Sequence, residues 1–201
     1  MSSEFWTSLS GLLVSASGVY YAVLVFCRKA PSNSVSWAAW AVIGCAIFLT
    51  SETTFGINAI TFAVVNPTMI TAIGVWRQFE QTKMPSKREL IGGALGFSAI
   101  GAWLLANAYN APSEWTLGLS IAADLIPGWL IMQGAWENPE GDKPFPWILF
   151  SFGFGIGAFG LKEFSLFTLA VPIYMVFIGT VIALPLILYR IHYRKPIREW
   201  L

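Results

Sequence analysis

The sequence has few charged residues, two cysteines and one histidine. Only 11% of its 201 residues are Asp, Glu, Lys or Arg, whereas a soluble domain is nearer about 25% charged. The formal net charge is +1, so the charge does not favour a nucleic-acid partner. Cys27 and Cys45 show no metal-ligand spacing, which predicts buried free thiols rather than a disulfide framework or a metal site.

The composition is instead strongly apolar, with 56% hydrophobic residues and a mean hydropathy of +0.63. The polar residues are too few to cover a globule, so we expect a lipid bilayer to solvate part of the chain. A membrane-spanning helix needs about 20 mostly apolar residues, and lipid allows only helices or closed barrels. Seven runs predict an all-α membrane protein with seven transmembrane helices: 8–27, 36–53, 57–77, 89–109, 115–135, 146–162 and 165–190.

The N-terminus and the basic residues predict the orientation. The first residues contain no basic segment and no cleavage site, so the first run is expected to be retained rather than removed as a signal peptide. Eleven of the 12 Lys and Arg residues fall in the first, third and fifth loops or in the tail, and only Lys162 falls in another loop. The positive-inside rule then places the N-terminus outside and the C-terminus in the cytoplasm. We expect the bacterial inner membrane as the location.

Two similar turns indicate an internal repeat. "PSNSVSW" at 31–37 and "PEGDKPFPW" at 139–147 each join two apolar runs and bring a tryptophan to the second. Further along each half, an offset of 105 residues aligns three pairs of identical residues: Phe62 with Phe167, Pro67 with Pro172, and Gly74 with Gly179. A single membrane domain is predicted, with parallel three-helix repeats at 8–77 and 115–190, a linker helix at 89–109, and a basic cytoplasmic tail at 191–201.

This three-plus-one-plus-three arrangement, together with the segment 123–139 and the helix after it, resembles the SWEET and PQ-loop superfamily of small transporters. The resemblance covers nearly the whole chain, and the nicotinamide riboside transporters share the general architecture. It implies alternating access between two three-helix units and a small polar, sugar-like solute. SWEET proteins bind sugar with an Asn on the third helix, and Asn66 is similar in position. The second half has Val171 before Pro172, so it lacks the matching amide.

Asp124 is the acid that lies deepest in an apolar run, within "SIAADLIPGW". An Asp at the centre of a membrane helix costs roughly 2.5–3.5 kcal/mol on insertion scales, and such residues face a polar cavity or a partner. It precedes Pro127 by three residues, and that proline leaves the carbonyl of Ala123 without its helical donor. A proton or a polar ligand could bind here. Alternatively, Asp124 is hydrated or bonded to a neighbouring helix.

Other polar and aromatic residues complete the predicted binding site. Asn66 places an amide beside Pro67, where it would bind the solute or, alternatively, form a hydrogen bond between helices. Asn58 lies on the same face nearer the outside, where it would line the entry. Trp40 and Trp129 are predicted to stack on a bound solute, with lipid packing as the alternative. The predicted hinge or gate residues are the prolines within these helices: Pro67, Pro127 and Pro172.

Glycines are predicted to let helices approach each other closely. Gly153 and Gly157 have the small-xxx-small spacing that permits such contact in the sixth helix. The glycines of the linker helix are interpreted in the same way: Gly92, Gly96 and Gly101.

The sequence lacks a phosphate-binding loop, an HExxH zinc motif and paired cysteine sites, so we predict no enzyme activity, no cofactor and no metal. Two functions remain open. The first is a transporter or facilitator for a small polar solute. The second is a non-transporting accessory or assembly subunit of a larger membrane complex. The predicted partners are the lipid bilayer and the solute, with a homo-oligomer or a larger complex left open.

Overall fold

The computed structural model describes residues 2–31, 33–50, 65–81 and 85–201, and these ranges form seven α-helices, one short 3-10 helix and no strand. The helices are α1 (Ser3–Phe26), α2 (Ser34–Thr50), α3 (Asn66–Gln81), α4 (Lys87–Ala108), α5 (Ser113–Glu137), α6 (Pro144–Ala158) and α7 (Leu166–His192). The 3-10 helix is Ile197–Glu199. The predicted all-helical class and the seven helices are therefore confirmed, although most of the third predicted run before Asn66 lies outside the described residues.

Local sequence signals explain where several helices begin. Ser86 caps α4 and exchanges hydrogen bonds with Glu89 in a capping box, and Ser165 caps α7 in the same way with Thr168. Each box satisfies two N–H groups that the first turn would otherwise leave without acceptors. Helix α6 begins at Pro144, where the missing N–H and the fixed φ of proline suit the first helical position.

Four of the described helices are long and apolar enough to cross a bilayer, judged by length and composition alone. Their spans are Ser3–Phe26, Lys87–Ala108, Glu114–Glu137 and Thr168–His192. Helix α6 and the Ser34–Cys45 part of α2 are apolar but shorter. Several large apolar side chains on these helices lie on the surface, among them Leu12, Leu105 and Ile191, which are each at least 60% exposed.

The chain divides into two compact units. The first unit comprises Met1–Pro31 and Ile131–Leu201, and the second comprises Ser32–Leu130, so the division falls within α5. In the first unit α6 packs against both α1 and α7. In the second unit α2 packs against α3 and α4. The predicted three-helix repeats concern similarity between helices rather than which helices pack together, and they stay a prediction.

Close approach of α1 and α6 fixes the first unit. A Cβ added to Gly153 would lie 2.7 Å from Cγ2 of Val14, and one added to Gly157 would lie 2.6 Å from Oγ of Ser10. Real Cβ atoms essentially never come this close to another side chain. The hydroxyl of Ser3 also donates a hydrogen bond to the carbonyl of Gly160. The predicted role of Gly153 and Gly157 is confirmed.

The second unit has an apolar centre made by α2, α4 and α5. Its buried residues are Ala39, Ile43, Ile100 and Ala123, and Trp40 packs against them. Gly92 allows α4 to approach α5, because an added Cβ would lie 2.2 Å from Leu130. An added Cβ at Gly96 would lie 3.4 Å from Ala39, an ordinary contact distance. The same prediction for Gly101 is wrong, since nothing lies within 4 Å of its added Cβ.

The two cysteines are free, as predicted. The prediction that both are buried is wrong for Cys27, which is exposed just after the end of α1, while Cys45 is half-buried. An apolar run places a cysteine on a helix but does not determine which face of that helix packs inward.

Candidate functional site

The second unit brings together two of the residues predicted to bind a solute, Asp124 and Trp40. Asp124 is 5% exposed in α5, and its backbone carbonyl accepts a hydrogen bond of 3.1 Å from the indole Nε1 of Trp40 in α2. Trp40 is half-buried and makes an edge-on ring contact with Trp37, with centroids 4.8 Å apart. Trp40 therefore binds the backbone of α5 next to the carboxylate rather than pointing freely into solvent.

Pro127 follows Asp124 by three residues, lies inside the continuous helix α5 and is fully buried. A proline inside a helix removes one N–H donor and crowds the carbonyl four residues earlier, which here is that of Ala123. An added Cβ at Gly96 of α4 would lie 3.9 Å from the Cδ of Pro127, so α4 contacts α5 at this position. Asp124 therefore lies next to a backbone carbonyl that lacks its usual helical donor.

The other predicted site residues are placed separately. Asn66 is 4% exposed at the start of α3, followed by the buried Pro67. Pro172 is buried inside α7 of the first unit. Trp129 is 63% exposed, so its side chain does not lie in the interior of the second unit. Asn58 lies outside the described residues.

The first unit contains a buried polar cluster that we call the Asp142 cluster: Tyr21, Asp142, Trp147 and Arg190. Asp142 is 3% exposed in the turn between α5 and α6. Its Oδ1 accepts a bond of 2.6 Å from the backbone N–H of Lys143, and its Oδ2 accepts one of 3.1 Å from the indole of Trp147. The Tyr21 hydroxyl lies 3.4 Å from Oδ2 and 3.2 Å from the carbonyl of Pro31, and its single proton can go to either.

Arg190 joins this turn to the end of the chain. It is 2% exposed in the last turn of α7, and its guanidinium donates hydrogen bonds to four backbone carbonyls. The acceptors are the carbonyls of Pro139 at 3.0 Å, Asp142 at 2.5 Å, Leu186 at 3.1 Å and Glu199 at 2.7 Å. Lys143 Nζ also donates to the Glu199 carbonyl at 3.1 Å. One buried cation thus holds the 138–143 turn and the C-terminal 3-10 helix against α7.

Burial raises the pKa of the Asp142 carboxyl from 3.8 to about 6, because burial disfavours the charged form. The hydrogen bonds from Lys143, Trp147 and Tyr21, and the charge of Arg190, offset part of that increase. The folded chain therefore binds more protons than the unfolded chain between the two pKa values. Stability contributed by this carboxyl is present below about pH 4 and is lost as the pH rises through about 6.

Replacing Asp142 with Asn is expected to remove this pH dependence. A shift of about two pKa units corresponds to about 3 kcal/mol, so the stability difference between Asp142→Asn and the wild type should change by up to about that amount between pH 4 and pH 7. Thermal unfolding of both proteins in detergent across this range measures it. The exposed Glu163→Gln, also in the first unit, is the matched control and should follow the wild type. Parallel pH profiles for Asp142→Asn and the wild type would contradict the raised pKa.

The Asp142 cluster was not predicted from the sequence. Its signal was present in "PEGDKPFPW", where an acid lies between Pro139 and Pro144 and Trp147 follows five residues after it. The contributions of Tyr21 and Arg190 had no local signal, because they come from α1 and α7, which are distant in sequence. In the sequence, Arg190 is one of the eleven basic residues that the orientation prediction places on the cytoplasmic side.

Comparisons of the chain with protein-family models, with curated proteins and with solved structures find no match.

Proposed function

We propose that the chain is an integral membrane protein with seven transmembrane helices, an outside N-terminus and a cytoplasmic C-terminus. Four helices with sufficient length and apolarity support this proposal. The exposed apolar side chains support it as well, because water would be a poor solvent for Leu12, Leu105 and Ile191, each at least 60% exposed. The predicted basic set of loops supports the orientation, and an inner bacterial membrane is the location that we propose.

We further propose that it transports or facilitates a small polar solute, by alternating access between two parallel three-helix repeats as in the SWEET and PQ-loop transporters that it resembles. The observation that carries this proposal is the position of Asp124. Asp124 is 5% exposed in an apolar helix, three residues before a proline, and ionisable residues at such positions commonly mark substrate paths or proton relays in membrane proteins. Trp40 holds the backbone at that point.

The remaining predicted residues have supporting roles in this proposal. Asn66 would offer an amide to the solute near the start of α3, and Asn58 would line the entry. Pro67, Pro127 and Pro172 would act as hinges. Trp129, being 63% exposed, is better suited to the lipid boundary than to direct contact with the solute.

Replacing Asp124 with Asn tests the proposal. If Asp124 binds a proton during transport, uptake into proteoliposomes should depend on external pH in the wild type and lose that dependence in Asp124→Asn, because the amide does not titrate. Radiolabelled solute uptake between about pH 5 and pH 8 is the measurement. Glu114→Gln, an exposed acid in the first turn of the same helix, is the control and should keep the wild-type profile. The same pH dependence in Asp124→Asn would eliminate Asp124 as the coupling group.

One observation favours the second candidate, an accessory subunit. The centre of the second unit, where α2, α4 and α5 meet, is filled by Ala39, Ile43, Ile100 and Ala123. A close-packed apolar centre suits a scaffold better than a solute path. If no solute is taken up and the native protein migrates as part of a larger complex, the accessory role replaces the transport proposal.

A further inference from the structure

The Tyr21 hydroxyl lies between two acceptors in the first unit. It is 3.4 Å from Oδ2 of Asp142 and 3.2 Å from the backbone carbonyl of Pro31. A phenol has one proton to donate, and its oxygen can also accept a hydrogen bond. Tyr21 is 3% exposed and makes an edge-on ring contact with Trp147, with centroids 5.3 Å apart. This packing keeps the hydroxyl within reach of both acceptors.

The protonation state of Asp142 decides which acceptor Tyr21 uses. An ionised carboxylate only accepts, and hydrogen bonds to a charged group are about twice as strong as neutral ones, so the carboxylate draws the Tyr21 proton to Oδ2. A neutral carboxyl gains an O–H donor. The backbone N–H of Lys143 donates to Oδ1, so a proton on Oδ2 leaves that bond in place. The Oδ2 hydroxyl then donates to the Tyr21 oxygen, and the Tyr21 proton goes to the carbonyl of Pro31.

The surroundings of Asp142 bring this change close to neutral pH. Burial raises the pKa of the Asp142 carboxyl to about 6. The titratable or charged groups that face it among the described residues are Tyr21 from α1, Lys143 beside it and Arg190 from α7. Arg190 donates to the backbone carbonyl of Asp142 at 2.5 Å, and Lys143 Nζ donates to the carbonyl of Glu199. Both cations therefore leave Oδ2 to Tyr21 and to the indole of Trp147.

Pro31 ends the segment 27–31 that follows α1, and it is the last residue of the first unit before the chain enters the second. The start of this segment is bonded to α1, because the backbone N–H groups of Arg28 and Lys29 donate to carbonyls near the end of that helix. Pro31 is exposed and has no N–H of its own to donate. The bond from the Tyr21 hydroxyl therefore ties the far end of the segment to α1 and to the Asp142 cluster.

We propose that Asp142 is a proton-binding site that controls how the segment 27–31 is held. When Asp142 carries a proton, it donates to Tyr21, and Tyr21 donates to Pro31. When Asp142 is ionised, Tyr21 donates to the carboxylate and leaves the exposed Pro31 carbonyl to water. Acid thus fastens the segment to the first unit, and neutral pH loosens it. The site needs no solute, so it is independent of the transport proposal, and on the orientation proposed above it responds to cytoplasmic pH.

The carbonyl of Pro31 tests this site directly. Protein labelled with 13C at the proline carbonyls and with 15N in serine gives carbonyl–nitrogen signals only from Pro-Ser pairs, which occur at Pro31, Pro85 and Pro112. Pro31→Ala identifies the Pro31 signal. In detergent this 13C signal should lie downfield, as for a hydrogen-bonded carbonyl, near about pH 4 and move upfield as the pH rises through about 6. The Pro112 carbonyl accepts from backbone N–H groups of α5 and should not move.

Two variants separate the Tyr21 bond from a general effect of pH. Tyr21→Phe lacks the hydroxyl, so the Pro31 signal should stay upfield at every pH. Asp142→Asn does not titrate, so the signal should keep one position. Glu140→Gln, which replaces an exposed acid of the same turn, is the control and should titrate as the wild type does.

The wild-type titration decides the proposal even if a variant does not fold. A wild-type Pro31 signal that keeps its position between about pH 4 and pH 8 overturns the proton site. Movement that persists in Tyr21→Phe overturns the role of the hydroxyl. Movement that persists in Asp142→Asn shows that another group titrates, and this also overturns the proposal.

Discussion

Replacing Arg190 with Ala is expected to destabilise the first unit by about 3–5 kcal/mol, the range seen when one partner of a buried charge network is removed. Four backbone carbonyls lose a charged donor in this variant, and hydrogen bonds to charged groups contribute about 1.5–3 kcal/mol each without adding fully. Asp142 also loses the nearby positive charge that offsets its burial. Arg190→Lys should recover only part of the loss, because an ammonium group cannot reproduce the planar fork of a guanidinium.

Thermal unfolding in detergent measures the loss of stability in Arg190→Ala, and hydrogen exchange measures how firmly the C-terminal segment is held. The melting temperature should fall, and the backbone amides of residues 195–201 should exchange faster, because Arg190 and Lys143 hold the carbonyl of Glu199. Arg198→Ala is the matched control: it removes the same side chain from the same end of the chain, but from an exposed position. Equal stability of the Arg190 and Arg198 variants would show that the buried guanidinium does not hold this end of the unit together.

Replacing Gly153 with Leu is expected to destabilise the contact between α1 and α6 by about 3 kcal/mol or more, because overpacking a close contact costs about 1–3 kcal/mol and occasionally more. Even a single added Cβ would lie 2.7 Å from Cγ2 of Val14 and 3.2 Å from the Val14 backbone nitrogen. A side chain can rotate away, but the backbone of α1 moves only if the helix moves. The larger leucine therefore forces the two helices apart.

Gly134→Ala is the control for this variant. Gly134 lies in the part of α5 that belongs to the first unit, and nothing lies within 4 Å of an added Cβ there. Alanine should raise stability by roughly 0.5–1 kcal/mol, because glycine is the poorer helix former. Thermal unfolding distinguishes the two glycines. A Gly153→Leu protein as stable as the wild type would mean that α1 and α6 do not pack at this position.

The sequence was sufficient to predict the helices themselves. Runs of about 20 apolar residues separated by short polar turns allow little other than helices, because every buried backbone N–H and C=O then has a partner within its own segment. The predicted run 89–109 corresponds to α4 at Lys87–Ala108, and 165–190 corresponds to α7 at Leu166–His192. The glycine spacing of Gly153 and Gly157 also predicted correctly where a neighbour would approach.

The candidate sites were predicted in part. Asp124 could be found because a carboxylate in an apolar run is conspicuous whatever the tertiary structure. The hydrogen bond from the Trp40 indole to the backbone carbonyl of Asp124 could not be predicted, since α2 and α5 are separated by more than sixty residues. The exposure of Trp129 could not be predicted either, because its position in an apolar helix did not indicate that its side chain would be 63% exposed.

By itself, the sequence determined that this chain forms long apolar helices, where most of them begin and end, and that Asp124 lies inside one of them. Only the tertiary structure decided which helices pack together, that Arg190 and Asp142 are buried in one cluster with Tyr21, and that the Tyr21 hydroxyl lies between two acceptors. The physical reason is that helix formation depends on neighbouring residues and their hydrogen bonds. A helix that is apolar on all sides has no single face that its sequence directs inward, so packing chooses the face.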